Sequence, residues 1–293
     1  MSTNKPKAVF LDYRDINPGD ISLKPLEELC DLTAYVDSTA EEALERAADA
    51  EIIFTDSCVI NRRLIEACPK LRYVGVMATG INHIDLDAAT EHEITVTNVP
   101  AYSTDAVAQH AIALLLSVTN KISRYEEGDW PEDKLGTLPV LLNGKSIGIV
   151  GYGNIGKRTA GIAEALGMTV NVYSRDPEAA ITSDVVSMHC PLTPENRGMV
   201  NREFISRMKD GAIFINTARG GLVDEEALAE ALNSGKIYGA GLDVTVKEPI
   251  SKDSPLLKCK NCYITPHVAF MPKETREKVV NIAARNLQMY LEI

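Results

Sequence analysis

One stretch limits what this chain can fold into more than any other. Ser146-Ile-Gly-Ile-Val150 reads as a buried strand, Gly151-Tyr-Gly153-Asn154-Ile155-Gly156 follows at once, and Ile155, Thr159, Ile162, Ala163 and Leu166 then recur at helical spacing. In a strand, glycine turn and helix of this kind the first glycine permits a tight turn and the second lets backbone approach a pyrophosphate. The third lets helix and strand pack closely. The helix N-terminus faces the phosphates with free N–H groups and a partial positive charge. Alone, such a glycine motif is also met as a plain structural turn; in this context it predicts dinucleotide binding through Gly151, Gly153, Asn154, Ile155 and Gly156.

The rest of the chain repeats the same alternation. Strand-like runs over 8–11, 33–36, 52–55, 73–76 and 94–98 are interleaved with helical runs over 23–32, 39–47 and 61–68, and a second series runs from Ser146 to a strand over 262–265. Strands alternating with amphipathic helices predict parallel sheets covered on both faces. At 293 residues, two domains are the better expectation. A helical stretch over 103–122, opened by Ser103-Thr104-Asp105, is expected to link them. The segment 123–143, with Gly128, Trp130, Pro131, Gly136 and Pro139, reads as loop, arm or interface. An amphipathic helix over 273–291 closes the chain.

Composition excludes several classes. A net charge of −11 argues against nucleic acid or an anionic membrane as partner, since both are bound through clustered Lys and Arg. No apolar run is long enough to span a bilayer, and the start carries no apolar signal segment, so a cytoplasmic location is expected. The six cysteines are read as reduced thiols, Cys259-Lys-Asn-Cys262 included, because no second pair or nearby His completes a zinc set. No metal is implied. His83, His92, His110 and His189 lack ligand spacing and read as structural or peripheral. No GxSxG elbow accompanies Ser103, Asp105 and His110, which removes a hydrolase.

Two further stretches bear on chemistry. Where the second strand of the glycine unit ends, Ser174-Arg175-Asp176 offers an Arg suited to the 2′-phosphate of NADP, and Asp176 lies past the expected strand end; NADP is therefore preferred over NAD. Reduction of a keto acid needs a cation for the carboxylate and an acid for the developing alkoxide. Arg219 directly follows the apolar run 212–215, Glu248 follows the run 239–244, and His267 follows the run 262–265. Strand ends of this kind are where open α/β sheets bind ligands. A guanidinium forks onto a carboxylate, and a carboxylate beside an imidazole fixes its tautomer and favours its protonated form.

Together these segments resemble the D-isomer-specific 2-hydroxyacid dehydrogenases along nearly the whole chain. The motifs are Ala78-Thr-Gly-Ile-Asn82 with Asp85, Asn98 to Thr104 with Val107-Ala-Gln109, Gly151 to Gly156, Cys190-Pro-Leu-Thr193, Asn216 to Asp224, Gly241-Leu-Asp243 with Glu248-Pro249, and Pro266-His267. The resemblance implies catalysis by Arg219, Glu248 and His267. It implies a substrate carboxylate held by Thr79, Gly80 and Arg219, and a cofactor lined by Thr104, Ser174, Arg175, Cys190, Pro191, Thr193, Thr217, Ala218 and Asp243. It also implies a flavodoxin-like substrate domain (1–103 plus 268–293), a Rossmann cofactor domain (104–267) and a homodimer formed through 103–143. Within the family, 98–110 and 255–267 look most like glycerate dehydrogenases, also called hydroxypyruvate or glyoxylate reductases. A nucleotide-sensing, corepressor-like scaffold on the same lobes is the rival reading. One departure stands out: only eleven residues, Ser174 to Asp184, separate two strands between which the family usually has another helix and strand. Either the adenosine side is trimmed or the sequence lacks a stretch.

Overall fold

A computed structural model describes residues 5–121 and 138–292. The arm or interface expected around Gly128, Trp130, Pro131 and Gly136 falls outside the described residues. The chain divides into two compact units, Met1–Tyr102 with Met271–Ile293, and Ser103–Phe270. Val268, Ala269 and Phe270 group with the second unit, where the amides of Val268 and Ala269 are bonded to Asp243.

The first unit is a parallel sheet of β1 (Lys7–Phe10), β2 (Asp31–Ala34), β3 (Ile52–Thr55), β4 (Tyr73–Val76) and β5 (Thr95–Thr97), in the order β2-β1-β3-β4-β5. This is the flavodoxin-like doubly wound order. The central strands β3 and β4 are buried at every residue, which is why they read as unbroken apolar runs rather than alternating ones. Helices α1 (Lys24–Glu27), α2 (Ala40–Ala47), α3 (Arg62–Ala67) and α4 (Leu86–Glu91) join the strands. Side-chain caps start three of them, a Thr39–Glu42 capping box on α2, Asn61 on α3 and Asp85 on α4. The helix expected over 23–32 is shorter than its apolar pattern, because from Asp31 the backbone pairs with β1. The C-terminal helix α10 (Lys273–Leu291) packs on α1 and β4. Its buried Arg276 forks onto Asp20 at 2.6 and 2.8 Å.

The second unit holds β6 (Ser146–Val150), β7 (Thr169–Val172), β8 (Val185–Met188), β9 (Ala212–Asn216), β10 (Ile237–Leu242) and β11 (Cys262–Ile264), all parallel, ordered β11-β10-β9-β8-β6-β7. Around them lie α5 (Thr104–Asn120), α6 (Asn154–Ala165), α7 (Pro177–Ile181), α8 (Arg202–Arg207) and α9 (Glu225–Ser234). The glycine-turn strand β6 sits between β7 and β8, as in a Rossmann sheet, but the sheet stops at β7 where the usual order continues with one more strand.

The short link from β7 to β8 works because of a glycine. The chain must pass β6 to reach β8, and α7 does so against Gly148, where an added Cβ would lie 2.0 Å from the Ala180 carbonyl oxygen. Asp176 caps α7 by accepting from the Ala179 amide at 3.0 Å, and Pro177 opens its first turn. Asn171 of β7 donates to the Ala179 carbonyl at 3.2 Å and to Ser183 Oγ at 3.0 Å, closing the link.

Gly148→Ala should therefore drive the α7 backbone off β6 and destabilise the second unit by on the order of 3 kcal/mol. Gly161→Ala, where an added Cβ meets nothing within 4 Å inside α6, should be neutral or stabilising by roughly 0.5–1 kcal/mol. Urea unfolding of the two variants checks both; equal midpoints would mean that α7 does not cross at backbone contact.

Candidate active site

The glycine turn has the shape that a diphosphate needs. Gly151 is left-handed at φ +103°, and a Cβ there would lie 2.4 Å from the Cys190 amide nitrogen; at Gly156 it would lie 2.0 Å from the Gly151 carbonyl oxygen. Around Gly153 there is nothing within 4 Å. Two glycines thus let β6, α6 and the β8 end pack, and the third leaves open space at the N-terminus of α6. No side chain caps that end, so the first amides of the helix, from Asn154 through Gly156, have no internal carbonyl partner and can serve an anion.

Beyond β7 the exposed Arg175 sets its guanidinium 5.2 Å from the Tyr152 ring centre, and Lys157 Nζ lies 5.9 Å from the same ring. Ser174 is exposed beside it. Asp176 is committed to capping α7. The β8 end continues into His189, whose Nε2 meets Ser187 Oγ at 2.9 Å and whose titration burial lowers to about 4. It stays neutral. Cys190 is half-buried, with its thiol pushed up by burial, and the turn from Pro191 through Thr193 is braced by Asn196, which accepts from the Thr193 amide and donates to the Pro191 carbonyl.

At the β9 end the buried Asn216 organises its own turn. Its Oδ1 accepts from the Ala218 amide at 3.0 Å and its Nδ2 donates to the Arg219 carbonyl at 3.0 Å. Thr217 Oγ1 is buried with no partner among the described residues, a hydroxyl waiting for a polar group. Arg219 is exposed; its Nη1 donates to the Ala218 carbonyl at 2.7 Å, and among the described residues its guanidinium forms no ion pair.

His267 and Glu248, 19 residues apart, meet: the imidazole Nδ1 lies 2.7 Å from Glu248 Oε2. A carboxylate can only accept, so Nδ1 carries a proton and Nε2 is left to exchange one. The Glu248 bond raises His267 above its ordinary value against the opposing effect of burial; Glu248 and Asp243 charges add to the rise, and the Arg219 charge works against it. Burial pushes Glu248 up, but the His267 bond, the His267 charge and the Thr245 amide outweigh it and hold the carboxyl below its usual range. His267 sits at φ +55°, a left-handed conformation uncommon for a side-chain-bearing residue. Phe270 meets the ring edge-on at 5.8 Å.

Asp243 is 1% exposed and both its oxygens are engaged. Oδ1 accepts from Thr265 Oγ1 at 2.6 Å and from the Val268 amide at 2.9 Å, while Oδ2 accepts from the Ala269 amide at 3.0 Å. The second unit thus gathers Arg219, Glu248 and His267 at one edge of its sheet, where the Arg219 charge is felt by His267, and Thr104 begins α5 of the same unit. Thr79 and Gly80 belong to the first unit, just past β4, where Thr79 Oγ1 donates to the Val99 carbonyl at 2.9 Å and the Thr79 carbonyl accepts from Asn98 at 2.8 Å. His110, read from the sequence as structural or peripheral, has its Nε2 2.9 Å from Thr265 Oγ1. Sequence reasoning missed the capping role of Asp176, for which the Asp-Pro pair at a helix start was the available signal. Among the described residues no group of His, Cys, Asp and Glu is arranged to hold a metal ion, and no helix is long and apolar enough to cross a membrane.

Comparison with known proteins agrees with this geometry. The family model described as D-isomer specific 2-hydroxyacid dehydrogenase, NAD binding domain, matches residues 108–269. The chain is 43% identical to the hydroxypyruvate reductase of Blautia hydrogenotrophica, over 98% of this chain and 97% of that one. Among solved structures, the D-lactate dehydrogenase of Aquifex aeolicus, complexed with NAD and lactic acid, superposes with a TM-score of 0.85 at 29% identity over 98% and 96% of the two chains. An acyclic imino acid reductase complexed with NADPH and D-arginine superposes at 0.86, with 29% identity over 98% and 97%. The chain belongs to the D-isomer-specific 2-hydroxyacid dehydrogenase family. It is an NAD(P)-dependent oxidoreductase of 2-hydroxy acids, and the scaffold reading is not favoured. The Blautia alignment runs over 313 residues, more than this chain contains, so that relative carries residues which are missing here.

The His267–Glu248 pair makes a signed pH prediction. Its contribution to stability is full where both groups would be charged unpaired, above the ordinary 4.5 of Glu248 and below the ordinary 6.5 of His267. It fades as pH rises through the raised His267 value and as pH falls through the lowered Glu248 value. The stability gap between the wild type and Glu248→Gln should be widest between about pH 4.5 and 6.5 and narrow on either side. Urea unfolding across pH checks this; a gap independent of pH would mean that the two groups do not titrate as a pair.

Proposed function

We propose that this enzyme reduces a short 2-keto acid, hydroxypyruvate or glyoxylate, to D-glycerate or glycolate, with Arg219 holding the carboxylate and His267 donating the proton. The observation that carries the reading is the 2.7 Å His267–Glu248 bond, set at the same sheet edge as the open glycine turn and a guanidinium that has no ion-pair partner among the described residues. The name of the Blautia relative supports the substrate class. When bound, the nicotinamide cofactor supplies the hydride that reduces the keto carbon. Arg219 binds the carboxylate. Glu248 keeps His267 protonated toward neutral pH, so that Nε2–H can protonate the alkoxide oxygen as it forms. Thr104, Ser174, Cys190, Pro191, Thr193, Thr217, Ala218 and Asp243 line or support the cofactor cleft.

NADPH is the preferred donor in this reading. Arg175, with its face toward Tyr152 and Lys157 nearby, supplies positive charge where a 2′-phosphate falls, and Asp176, the one carboxylate in Ser174-Arg175-Asp176, is occupied as a cap. The enzyme acts in the cytoplasm as a homodimer.

Initial rates on hydroxypyruvate, glyoxylate and pyruvate, with NADH and NADPH in parallel, test the substrate and cofactor together. Hydroxypyruvate or glyoxylate with NADPH should give the highest kcat/KM. Arg219→Ala should raise the keto-acid KM by roughly 10- to 100-fold, and His267→Ala should lower kcat by roughly 100-fold or more. Arg175→Ala should raise the KM for NADPH and leave that for NADH nearly unchanged. Pyruvate as the best acid would overturn the substrate assignment, and equal loss with both cofactors in Arg175→Ala would overturn the 2′-phosphate reading.

A further inference from the structure

The proton count around Thr265 assigns a direction to a hydrogen bond that neither residue type nor spacing could give. Thr265 Oγ1 has one proton, and it goes to Asp243 Oδ1 at 2.6 Å. The 2.9 Å contact between Thr265 Oγ1 and His110 Nε2 must then be a bond in which the imidazole donates. The same N–H lies 3.3 Å from Asp243 Oδ1. His110, in the second turn of α5, therefore feeds a proton into a chain that runs His110 to Thr265 to Asp243.

That chain ends on the segment carrying His267. Besides Thr265, Asp243 holds the amides of Val268 and Ala269 through its carboxylate, and the His267 amide through its own carbonyl at 2.8 Å. Residues 265, 267, 268 and 269 are thus all tied to one buried aspartate, and between them His267 is kept in its left-handed conformation. Small rotations of this segment change the reach from His267 Nδ1 to Glu248. The charged and titratable groups bearing on the network are Asp243 at the β10 end, Glu248 beyond it, His267 after β11 and Arg219 after β9.

We infer that His110 is a positioning residue for the reaction: by donating from Nε2 to Thr265 and Asp243 it fixes the segment that sets His267 against Glu248. The inference rests on His267 being the proton donor, as argued under Proposed function. The fold does not hang on His110. Without it Asp243 still has three donors, and Thr265 loses only an optional acceptor bond, so what loosens is orientation and not the core.

His110→Ala, His110→Gln and Thr265→Val test this in the full-length protein. Glutamine places an N–H donor near the position of Nε2 without a titrating ring. His110→Ala should lower kcat about tenfold with the keto-acid KM and the melting temperature little changed, and should move the NMR titration of the His267 ring to lower pH. Glutamine should restore both. Thr265→Val should reproduce the loss of kcat and the shift of the His267 titration, while also lowering the melting temperature because it removes a donor to the buried Asp243, and the double variant should lose no further kcat. Unchanged kcat and His267 titration in His110→Ala, or a glutamine variant as impaired as the alanine one, would overturn the inference. With five histidines in the chain the titration is readable without turnover, so a wild type that reduced no keto acid would defeat the proposed function while the titration still decided the coupling.

Discussion

The buried carboxylate of Asp243 is the constraint on which the rest of the site depends. It sits at the carboxyl end of β10, nearly inaccessible to water, in a place where an ionised group is stable only if its oxygens are fully bonded. Burial pushes the carboxyl up, and bonds from His110, Thr265 and the amides of Ala269 and Val268 more than reverse that effect. Those donors come from α5 and from the segment after β11, so satisfying the charge forces the two strand ends into one register. Glu248 and His267, which flank that junction, inherit their separation from it.

A second constraint acts at the opposite edge of the same sheet. Gly148 lets α7 cross β6 at backbone contact, and that is what permits a parallel crossover in fewer residues than such connections usually take. The sheet consequently ends at β7, and the residues left at its carboxyl end are Ser174 and Arg175, with Asp176 diverted into a helix cap. Shortening the link and engaging Asp176 as a helix cap are thus one structural event.

Much of this was legible before any coordinates. Continuous apolar runs marked β3, β4, β8 and β9 because both faces of a parallel sheet are covered, and the spacing of Gly151, Gly153 and Gly156 marked the turn because each position has a separate steric reason to be glycine. Arg219, Glu248 and His267 stood out because each follows a strand, where open sheets expose side chains to ligands. Their meeting was not legible: the 19 residues between Glu248 and His267 say nothing of a 2.7 Å bond. The His110–Thr265 contact was not legible for a related reason, since the two residues lie 155 positions apart and a helical histidine next to Ala111 looks like ordinary packing. The four-residue α1 was misjudged because the apolar pattern continues into β2, and strand pairing overrode it.

The charges around His267 also oppose one another in a useful way. Glu248 and Asp243 favour the imidazolium, while Arg219 disfavours it. A carboxylate bound to Arg219 would offset that positive charge, and the ring would hold its proton more firmly with substrate present than without. By linkage the protonated enzyme would bind the keto acid more tightly. In the proposed reaction the guanidinium would thus do more than grip the substrate: its charge opposes the imidazolium until a bound carboxylate offsets it, which couples protonation of His267 to the presence of the acid.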